Sequence, residues 1–308
     1  MTAPRLTAAR AAVVLGALGV VLAASLLAAA SVGSVKVSLL SALDFSDPQN
    51  PDFVILFRTR LPRVLLGAAV GSGLAAAGAA LQALLRNSLA SPDVIGISGG
   101  ASVGAVVAIS AGAERLGVPA AAFLGSLGAM ALIVRLSTVR GRLNPYSLLL
   151  VGVIVNTIAA ALFLLLSSLV APTETLGMLS WLSGSLSLRD YGCVAAISAV
   201  MVAGTLVLWS EARGLNLLSL GEEAATQLGL DVERLRVVTF LASAMLVGAA
   251  VSVSGIIGFV GLIVPHVLRL LFGSDHRLLV PASFLGGAIF LVWADALARV
   301  AIAPAEIP

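Results

Sequence analysis

Apolar segments long enough to cross a lipid bilayer recur from one end of the sequence to the other. A transmembrane helix needs about 20 mainly apolar residues, because the hydrocarbon core is about 30 Å thick. On that rule the sequence predicts nine spans, near residues 11–31, 64–85, 93–112, 117–135, 147–170, 192–209, 237–254, 257–271 and 279–302. The eighth span is short, broken by Pro265 and flanked by Gly255 and Gly273. We therefore predict an all-α fold, a polytopic bundle of about nine transmembrane helices in a single domain over residues 1–308.

The low charge content excludes a soluble protein of this size. Only 11% of the residues are charged and 59% are hydrophobic, whereas a soluble protein carries about 25% charged residues to face water. The first apolar segment follows Arg5 and Arg10 and resembles a signal peptide. Its length, and the spans that follow it, favour an uncleaved first transmembrane helix.

The sequence lacks the groups that several kinds of chemistry need. A single cysteine, Cys193, excludes a disulfide framework and a thiolate metal site, and His266 and His276 are not spaced as a metal pair, so no cofactor is predicted. The only lysine, Lys36, lies between two valines and not in a phosphate-binding loop. No basic stretch interleaves with aromatic residues as a nucleic-acid surface would. The chain is therefore not predicted to be an enzyme, and any ATPase that drives it is a separate chain.

The distribution of arginines indicates how the chain crosses the membrane. With the N-terminus in the cytoplasm, the larger share of the arginines falls on cytoplasmic loops, as the positive-inside rule requires. Arg58, Arg60 and Arg63 lie on the opposite side and break this rule. These three residues therefore need an explanation other than topology.

Glycines at four-residue spacing predict close packing between helices. Gly67 and Gly71 form one pair, and Gly96, Gly100 and Gly104 form a longer series. Small residues let helix backbones approach each other in lipid, where the hydrophobic effect does not drive helix association.

The longest interior polar stretch, residues 210–236, contains helical signals of its own. Ser219 and Glu222 have the spacing of a capping box, which starts a helix by satisfying its free N–H groups. Apolar residues then recur at i, i+4 and i+8 on one predicted face, at Leu220, Ala224 and Leu228.

The end of this stretch predicts a glycine hinge. Gly229 can end the first helix, and Asp231 can cap a second helix that runs into the next span. The pattern predicts two short helices on the cytoplasmic side. They suit a docking element for a partner, and a solvated connector fits the pattern equally well.

Ionisable residues within the spans are rare and therefore informative. Asp295 and Arg299 lie four residues apart on one face of the last predicted span and can pair. The pair either stabilises the helix or belongs to an outward-facing charge set that meets a ligand or a partner. We predict His266 to be a neutral, hydrogen-bonded packing residue, with a proton relay as the alternative.

Several long motifs occur in the order found in a known family. They are residues 60–63, 73–82, 86–101, 181–186, 254–269 and 273–277, followed by Asp295, Arg299 and the closing residues 304–308. On these motifs the sequence resembles the FecCD-type permeases of bacterial ABC importers, which take up ferric siderophores, haem and cobalamin.

The resemblance implies a set of partners. Family members are ten-span subunits of the bacterial cytoplasmic membrane that pair with a second permease subunit, with the translocation path at the interface between the two. Two ATPase subunits grip the cytoplasmic loop, which corresponds to residues 210–236 here, and the implied coupling residues are Leu220, Glu222, Ala224, Leu228 and Gly229. An extracytoplasmic binding protein delivers the ligand to arginines at the outer mouth, which correspond to Arg60, Arg63 and Arg299.

The resemblance also implies where the path runs. Asn144 and Ser147 are expected near the cytoplasmic gate, and Asn156 is expected to face the path. Further motif residues with a structural or functional role in the family are Gln82, Asn87, Pro265, His266, Arg269 and Asp295.

Two departures from the family pattern keep other functions open. The usual Asn-Pro-Leu-Ala has Ser88 in place of its proline, and the sequence stops at Pro308, so the resemblance predicts a subunit without the tenth span. The first hypothesis is the permease of an ATP-driven importer of ferric siderophore, haem or cobalamin. The others are an ion-coupled secondary transporter and a truncated remnant that does not transport.

Overall fold

Helices form almost all of the part of the chain that the structure, a computed structural model, describes. That part comprises residues 7–33, 38–42, 50–113, 117–186 and 190–301. Its α-helices are α1 (Ala8–Ser31), α2 (Leu39–Ala42), α3 (Pro51–Phe53), α4 (Leu61–Leu84), α5 (Ile97–Ser110), α6 (Gly117–Ser137), α7 (Pro145–Leu169), α8 (Pro172–Leu182), α9 (Tyr191–Ser210), α10 (Ala212–Leu218), α11 (Glu222–Gln227), α12 (Val232–Ser254), α13 (Val260–Phe272) and α14 (His276–Ala301). A π-helix (Val54–Arg60) joins α3 to α4, a 3-10 helix (Pro92–Ile95) precedes α5, and a hairpin of β1 (Thr138–Val139) and β2 (Arg142–Leu143) joins α6 to α7. The predicted helical fold is confirmed.

Each predicted span contains a helix, but the helices differ in length. Seven stretches are long and apolar enough to cross a membrane: α1, the continuous run Pro51–Leu84, α6, α7, α9, α12 and α14. α5 and α13 have 14 and 13 residues, which at ~1.5 Å per residue is about 20 Å. The hydrocarbon core is about 30 Å thick, so the prediction of about nine full spans is not confirmed. The described ranges hold seven helices of spanning length and two shorter apolar ones.

Breaks in the backbone explain the two short helices. α5 starts only after Gly96, which follows the 3-10 helix and has a left-handed φ of +90°. α13 starts after Phe259, whose φ is +66°, and ends at Gly273, whose φ is +99°. The prediction that Pro265 breaks this span is wrong, because α13 continues through it.

α4 lies at the centre of the bundle, packed against α9, α12, α13 and α14. The apolar window of the run that contains it is 89% buried, against 6% for α1. A Cβ atom on Gly71 would collide with the carbonyl oxygen of Gly287 on α14, and Cβ atoms on Gly100 and Gly104 would collide with α6. The predicted role of glycine spacing in close helix packing is confirmed at these positions.

The hydropathy rule missed α8 and the β1–β2 hairpin because both are short. α8 has 11 residues and begins with Pro172, a residue well suited to the first turn of a helix. The hairpin turns at Arg140 and Gly141, whose φ values of +52° and +79° fit the type I′ turn that matches strand twist.

The polar stretch 210–236 forms short helices, as predicted. α11 is followed by Gly229 with a φ of +82°. The Asp231 carboxylate then accepts a hydrogen bond of 3.0 Å from the backbone N–H of Arg234 and caps α12. The predicted roles of the glycine and of the aspartate are confirmed.

The predicted start of α11 is wrong. Gly221, with a φ of +118°, takes the N-cap position, and the Ser219 hydroxyl instead donates to the carbonyl oxygen of Asn216 at 2.6 Å. No capping box forms, and Leu220 lies in the turn before α11. Leu220 therefore does not share one helical face with Ala224 and Leu228.

Candidate functional site

The residues singled out in the sequence lie mainly at the two ends of the bundle. We call the end that carries residues 210–236 the inner end, since the arginine pattern places it in the cytoplasm, and the end that carries Arg60, Arg63 and Arg299 the outer end. α4 and α14 both run between the two ends and pack against each other.

A three-residue ion cluster lies at the outer end. The Asp295 carboxylate is 3.0 Å from Arg299 Nε and accepts a hydrogen bond of 2.9 Å from Arg63 Nε. The predicted pairing of Asp295 with Arg299 is confirmed. The contact with Arg63 was not predicted, because a separation of 232 positions from Asp295 leaves no signal in the sequence. A cavity of about 260 Å³ opens beside Arg63 and Asp295.

Two of the outer arginines bind the end of α1. Arg60 donates to the carbonyl oxygens of Ala30 and Ser31 at 3.3 and 3.1 Å. Arg299 donates to the carbonyl oxygens of residues 29 and 32 at 3.1 and 3.0 Å. The last carbonyls of a helix lack helical partners and carry the negative end of its dipole, so cations stabilise them.

Burial separates the three arginines that were expected to meet a binding protein. Arg60 is 6% exposed and Arg299 is 4% exposed. The expectation that these two present their guanidinium groups to a partner does not match their positions, because both groups are buried against α1. Arg63 is partly exposed, and its neighbour Arg58 is exposed.

Two further motif residues meet between α4 and α13. Arg269 donates to the side-chain oxygen of Gln82 at 2.8 Å. The Gln82 amide in turn donates to the carbonyl oxygens of Gly261 and Leu262 at 3.4 and 3.3 Å. Gln82 therefore fastens the first turn of α13 to α4, beside the backbone break that precedes α13.

The position of His266 corrects a prediction. Pro265 is buried within α13, but the His266 side chain lies on the exposed face of that helix. A packed, hydrogen-bonded histidine was expected, and the structure does not place it in the core. The sequence could not distinguish the two faces of so short an apolar helix.

A cavity of about 940 Å³ lies at the inner end. It brings together Asn87 and Asn144, both of which the resemblance had singled out. Its charged lining consists of Arg86, Arg140, Arg142, Arg236 and Glu222. The Glu222 carboxylate is paired with Arg236 at 2.6 Å, so the other three arginines make this cavity strongly cationic.

The backbone holds two of these arginines in an uncommon conformation. Arg86 and Arg140 have φ values of +49° and +52°, a region that residues other than glycine and asparagine seldom adopt. Within the ranges that the structure describes, the guanidinium groups of Arg86, Arg140 and Arg142 form no ion pair and no hydrogen bond. The sequence had placed these three arginines on the cytoplasmic side, and Arg86 also at the start of the motif 86–101, without predicting that they share a cavity.

The predicted path residues lie on α7 but at different depths. Asn144 caps the helix by accepting hydrogen bonds from the backbone N–H groups of Tyr146 and Ser147 at 2.9 and 3.2 Å. Asn156 lies three turns further along and donates to the carbonyl oxygen of Asp93 at 2.8 Å. Asn144 therefore belongs to the inner cavity, whereas Asn156 fastens α7 to the 3-10 helix before α5.

The predicted coupling residues present apolar groups to the outside. Leu220 is 65% exposed and Leu228 is 61% exposed, while Ala225 between them is buried. The Glu222–Arg236 ion pair ties α11 to the first turns of α12. A short, braced helix flanked by two exposed leucines is the kind of surface that a partner protein covers.

Comparison with known proteins supports the family resemblance over most of the chain. The sequence profile of the FecCD transport family matches residues 21–308. The cobalamin import system permease protein BtuC of Halobacterium salinarum is 42% identical over 269 residues, which cover 86% of this chain and 72% of that protein. The hemin transport system permease protein HmuU of Yersinia pestis is 38% identical over 300 residues, which cover 96% and 89%.

The fold also matches a solved structure. A metal-chelate type ABC transporter in an inward-facing conformation superposes with a TM-score of 0.85 at 31% sequence identity. The match covers 97% of this chain and 93% of that one.

Proposed function

Because the chain belongs to the FecCD transport family, we propose that it is the membrane-spanning permease subunit of an ATP-driven importer, which moves a metal chelate into the cytoplasm. The observation that carries the proposal is the match to a metal-chelate transporter over 97% of the chain at a TM-score of 0.85. The chain lies in the bacterial cytoplasmic membrane, with residues 210–236 inside. ATP hydrolysis takes place in separate ATPase subunits, two in each complex.

The cargo is a ferric siderophore, with haem and cobalamin as the other members of the class. Relatives named for cobalamin and hemin transport and the metal-chelate transporter that shares the fold support this class of cargo as a whole. The permease works with a second permease subunit, and the path lies between the two.

The segment 210–236 is the surface that the ATPase grips. The exposed side chains of Leu220 and Leu228 support this role, as does the ion pair that holds α11 against α12. Ala224 and Glu222 lie on α11, and Gly229 sets the angle between α11 and α12. Apolar contacts of this kind transmit force well, because they pack rigidly and exclude water.

The path ends at the inner cavity. Asn144, which lines the cavity and caps α7, and Ser147 one turn along belong to the gate. Asn156 contributes to the path by holding the 3-10 helix against α7. Arg86, Arg140 and Arg142 line this cavity and have no ion pair within the described part of the chain. They favour the passage of chelates that carry negative charge, because guanidinium groups pair well with carboxylates.

An extracytoplasmic binding protein docks at the outer end. Of the arginines that the resemblance singles out, Arg63 is the one that reaches the surface, and Arg60 and Arg299 support it from within. Docking by arginine fits an acidic partner, since a guanidinium group can bind a carboxylate through two hydrogen bonds.

Uptake in a strain that lacks this gene tests the proposal. Labelled ferric siderophore, haem and cobalamin are supplied with and without a plasmid copy of the gene. We expect uptake of one chelate to be lost and then restored, and to stop when the partner ATPase is inactivated by mutation. Restored uptake that persists with the inactive ATPase but collapses with a protonophore would show an ion-coupled transporter instead.

A further inference from the structure

The motif at residues 273–277 has no role in the function proposed above, yet its side chains bridge two elements at the inner end. The Asn216 amide on α10 donates to Asp275 Oδ1 at 2.8 Å. Its oxygen accepts from the backbone N–H of His276 at 2.9 Å and lies 2.7 Å from His276 Nδ1. An amide oxygen can only accept, so Nδ1 carries the proton and donates. Asn216 thus makes three hydrogen bonds to the first residues of α14 and the turn before it.

A second contact holds the same turn. The indole N–H of Trp209, at the end of α9, donates to the carbonyl oxygen of Arg277 at 2.9 Å. The Arg277 side chain folds back onto Asp275, with Nε 3.0 Å from Oδ1. The start of α14 is therefore held from α9 and from α10.

These contacts matter because the backbone does not connect α14 directly to residues 210–236. Residues 210–236 join α9 to α12, so a displacement of this segment reaches those two helices through the backbone. α14 has no such connection and meets the segment through contacts between side chains and backbone. His276 is 5% exposed, so loss of its partner would leave a buried polar group unsatisfied, which makes the contact hard to break.

The opposite end of α14 carries the ion cluster. The helix has 26 residues and reaches about 39 Å at ~1.5 Å per residue. Asp295 near its far end pairs with Arg63 on α4, and Arg299 holds the end of α1. α14 runs as one continuous helix between these two sets of contacts, through Pro281 near its start, so a displacement of its inner end can reach its outer end.

We propose that Asn216, Trp209 and residues 275–277 form a latch that makes α14 move with the ATPase-gripped segment, so that ATP hydrolysis is coupled to the outer end of the path. The inference rests on the proposed function of residues 210–236. Asn216 and Trp209 are positioning residues, because they act through α14 and touch neither ATP nor cargo.

Transport per ATP hydrolysed, measured in proteoliposomes that contain the permease, its ATPase and its binding protein, tests the latch. Asn216→Ala removes three hydrogen bonds, and Trp209→Phe removes the indole donor while keeping an aromatic ring. Coupling between sites typically corresponds to 5- to 150-fold effects, so we expect the ratio to fall at least about fivefold in Asn216→Ala and further in the double variant. Because the ratio divides transport by the hydrolysis that each variant performs, it reports coupling and not the amount of ATPase bound. Thr226→Ala is the matched control, since its hydroxyl bonds only within α11.

Hydrogen exchange at the His276 backbone amide measures its hydrogen bond to Asn216 independently of transport. Its protection should drop in Asn216→Ala and stay unchanged in Thr226→Ala. An unchanged transport ratio in the double variant would overturn the latch, and so would loss of ATPase binding in Asn216→Ala, which would place Asn216 in the docking surface. If the wild type shows no ATP-driven uptake, the proposed function is wrong. Hydrogen exchange still tests the latch in that case, and unaltered protection of the His276 amide in Asn216→Ala would contradict it.

Discussion

The two ends of this bundle use arginine in opposite ways. At the outer end, Arg60 and Arg299 are buried, and their guanidinium groups bind helix carbonyls or the Asp295 carboxylate. At the inner end, Arg86 and Arg140 are exposed and line a cavity of about 940 Å³ without an ion pair in the described ranges. These arginines therefore fasten helices at the outer end and leave charge available at the inner end. Arg236, which pairs with Glu222 at the inner end, and Arg58, which is exposed at the outer end, are exceptions.

The difference follows from the cost of burying charge. A buried guanidinium is stable only when carboxylate or carbonyl oxygens surround it, and removal of one partner leaves an uncompensated charge. An exposed guanidinium is solvated and contributes little to stability, so it can pair with a ligand or another chain without first breaking an internal contact. Substitutions of the buried arginines should therefore affect folding, and substitutions of the exposed arginines should affect partners.

The largest effect is expected at the centre of the outer cluster. Asp295→Ala would leave the buried guanidinium group of Arg299 and the partly exposed one of Arg63 without their carboxylate. Breaking a buried ion pair costs about 3–5 kcal/mol. Denaturant unfolding of the purified permease in detergent measures this loss. Asp52→Ala, at the same end but outside the cluster, should change the unfolding free energy by less than about 0.5 kcal/mol. A loss below about 1 kcal/mol for Asp295→Ala would mean that the cluster does not fasten the helices.

At the inner end, a substitution on the exposed surface should weaken partner binding and leave the unfolding free energy nearly unchanged. Leu228 is 61% exposed, so Leu228→Asp should leave the unfolding free energy within about 0.5 kcal/mol of wild type. In the complex the new carboxylate would be buried without a partner, which costs about 3 kcal/mol or more and weakens ATPase binding at least roughly 100-fold. A binding titration with the purified ATPase gives the affinity. Gln227→Asp adds the same charge next to it and should have a smaller effect, and equal affinities for both variants and wild type would make the segment a plain connector.

A smaller effect should separate two neighbouring arginines at the outer end. Arg58 is exposed and Arg60 is buried, although both break the positive-inside rule. Arg58→Glu should slow docking of the binding protein several-fold at low salt and much less at high salt, because mobile ions screen exposed charges. Arg60→Gln should lower the stability of the permease and leave the affinity for the binding protein unchanged. The reverse result would assign docking to the buried arginine and contradict the division between fastening and docking.

Hydropathy predicted the helices well because it is a local property. Each of the nine apolar segments contains a helix, and Gly229 and Asp231 end and start helices where the sequence placed them. The left-handed conformations at Gly96 and Phe259 were not predicted, because each depends on packing between distant segments. These two breaks shorten α5 and α13 and account for the error in the number of full spans.

The site was predictable only where its partners are close in sequence. The i, i+4 spacing of Asp295 and Arg299 was enough to predict their ion pair. The contact of Asp295 with Arg63 and that of Asn216 with Asp275 join residues far apart in the chain, and no periodicity signals them. The burial of Arg60 could not be predicted for another reason. Its acceptors are backbone carbonyls, which every residue type carries, so no side chain in the sequence marks them.

The smallest expected effect concerns the pH dependence of the latch. The Arg277 side chain holds the pKa of Asp275 at about 2, below its ordinary value of 3.8, and the hydrogen bond from Asn216 acts in the same direction. A lowered pKa in the folded state means that the charged carboxylate stabilises the fold above pH 3.8, and that this stabilisation is lost as the pH falls towards 2. The difference in stability between wild type and Asp275→Asn should therefore stay constant from pH 8 to about pH 5 and shrink only below pH 4.

Unfolding of both proteins in detergent across this range measures the difference. A difference that already shrinks between pH 8 and pH 6 would show that Asp275 titrates in the physiological range and is not held by Arg277.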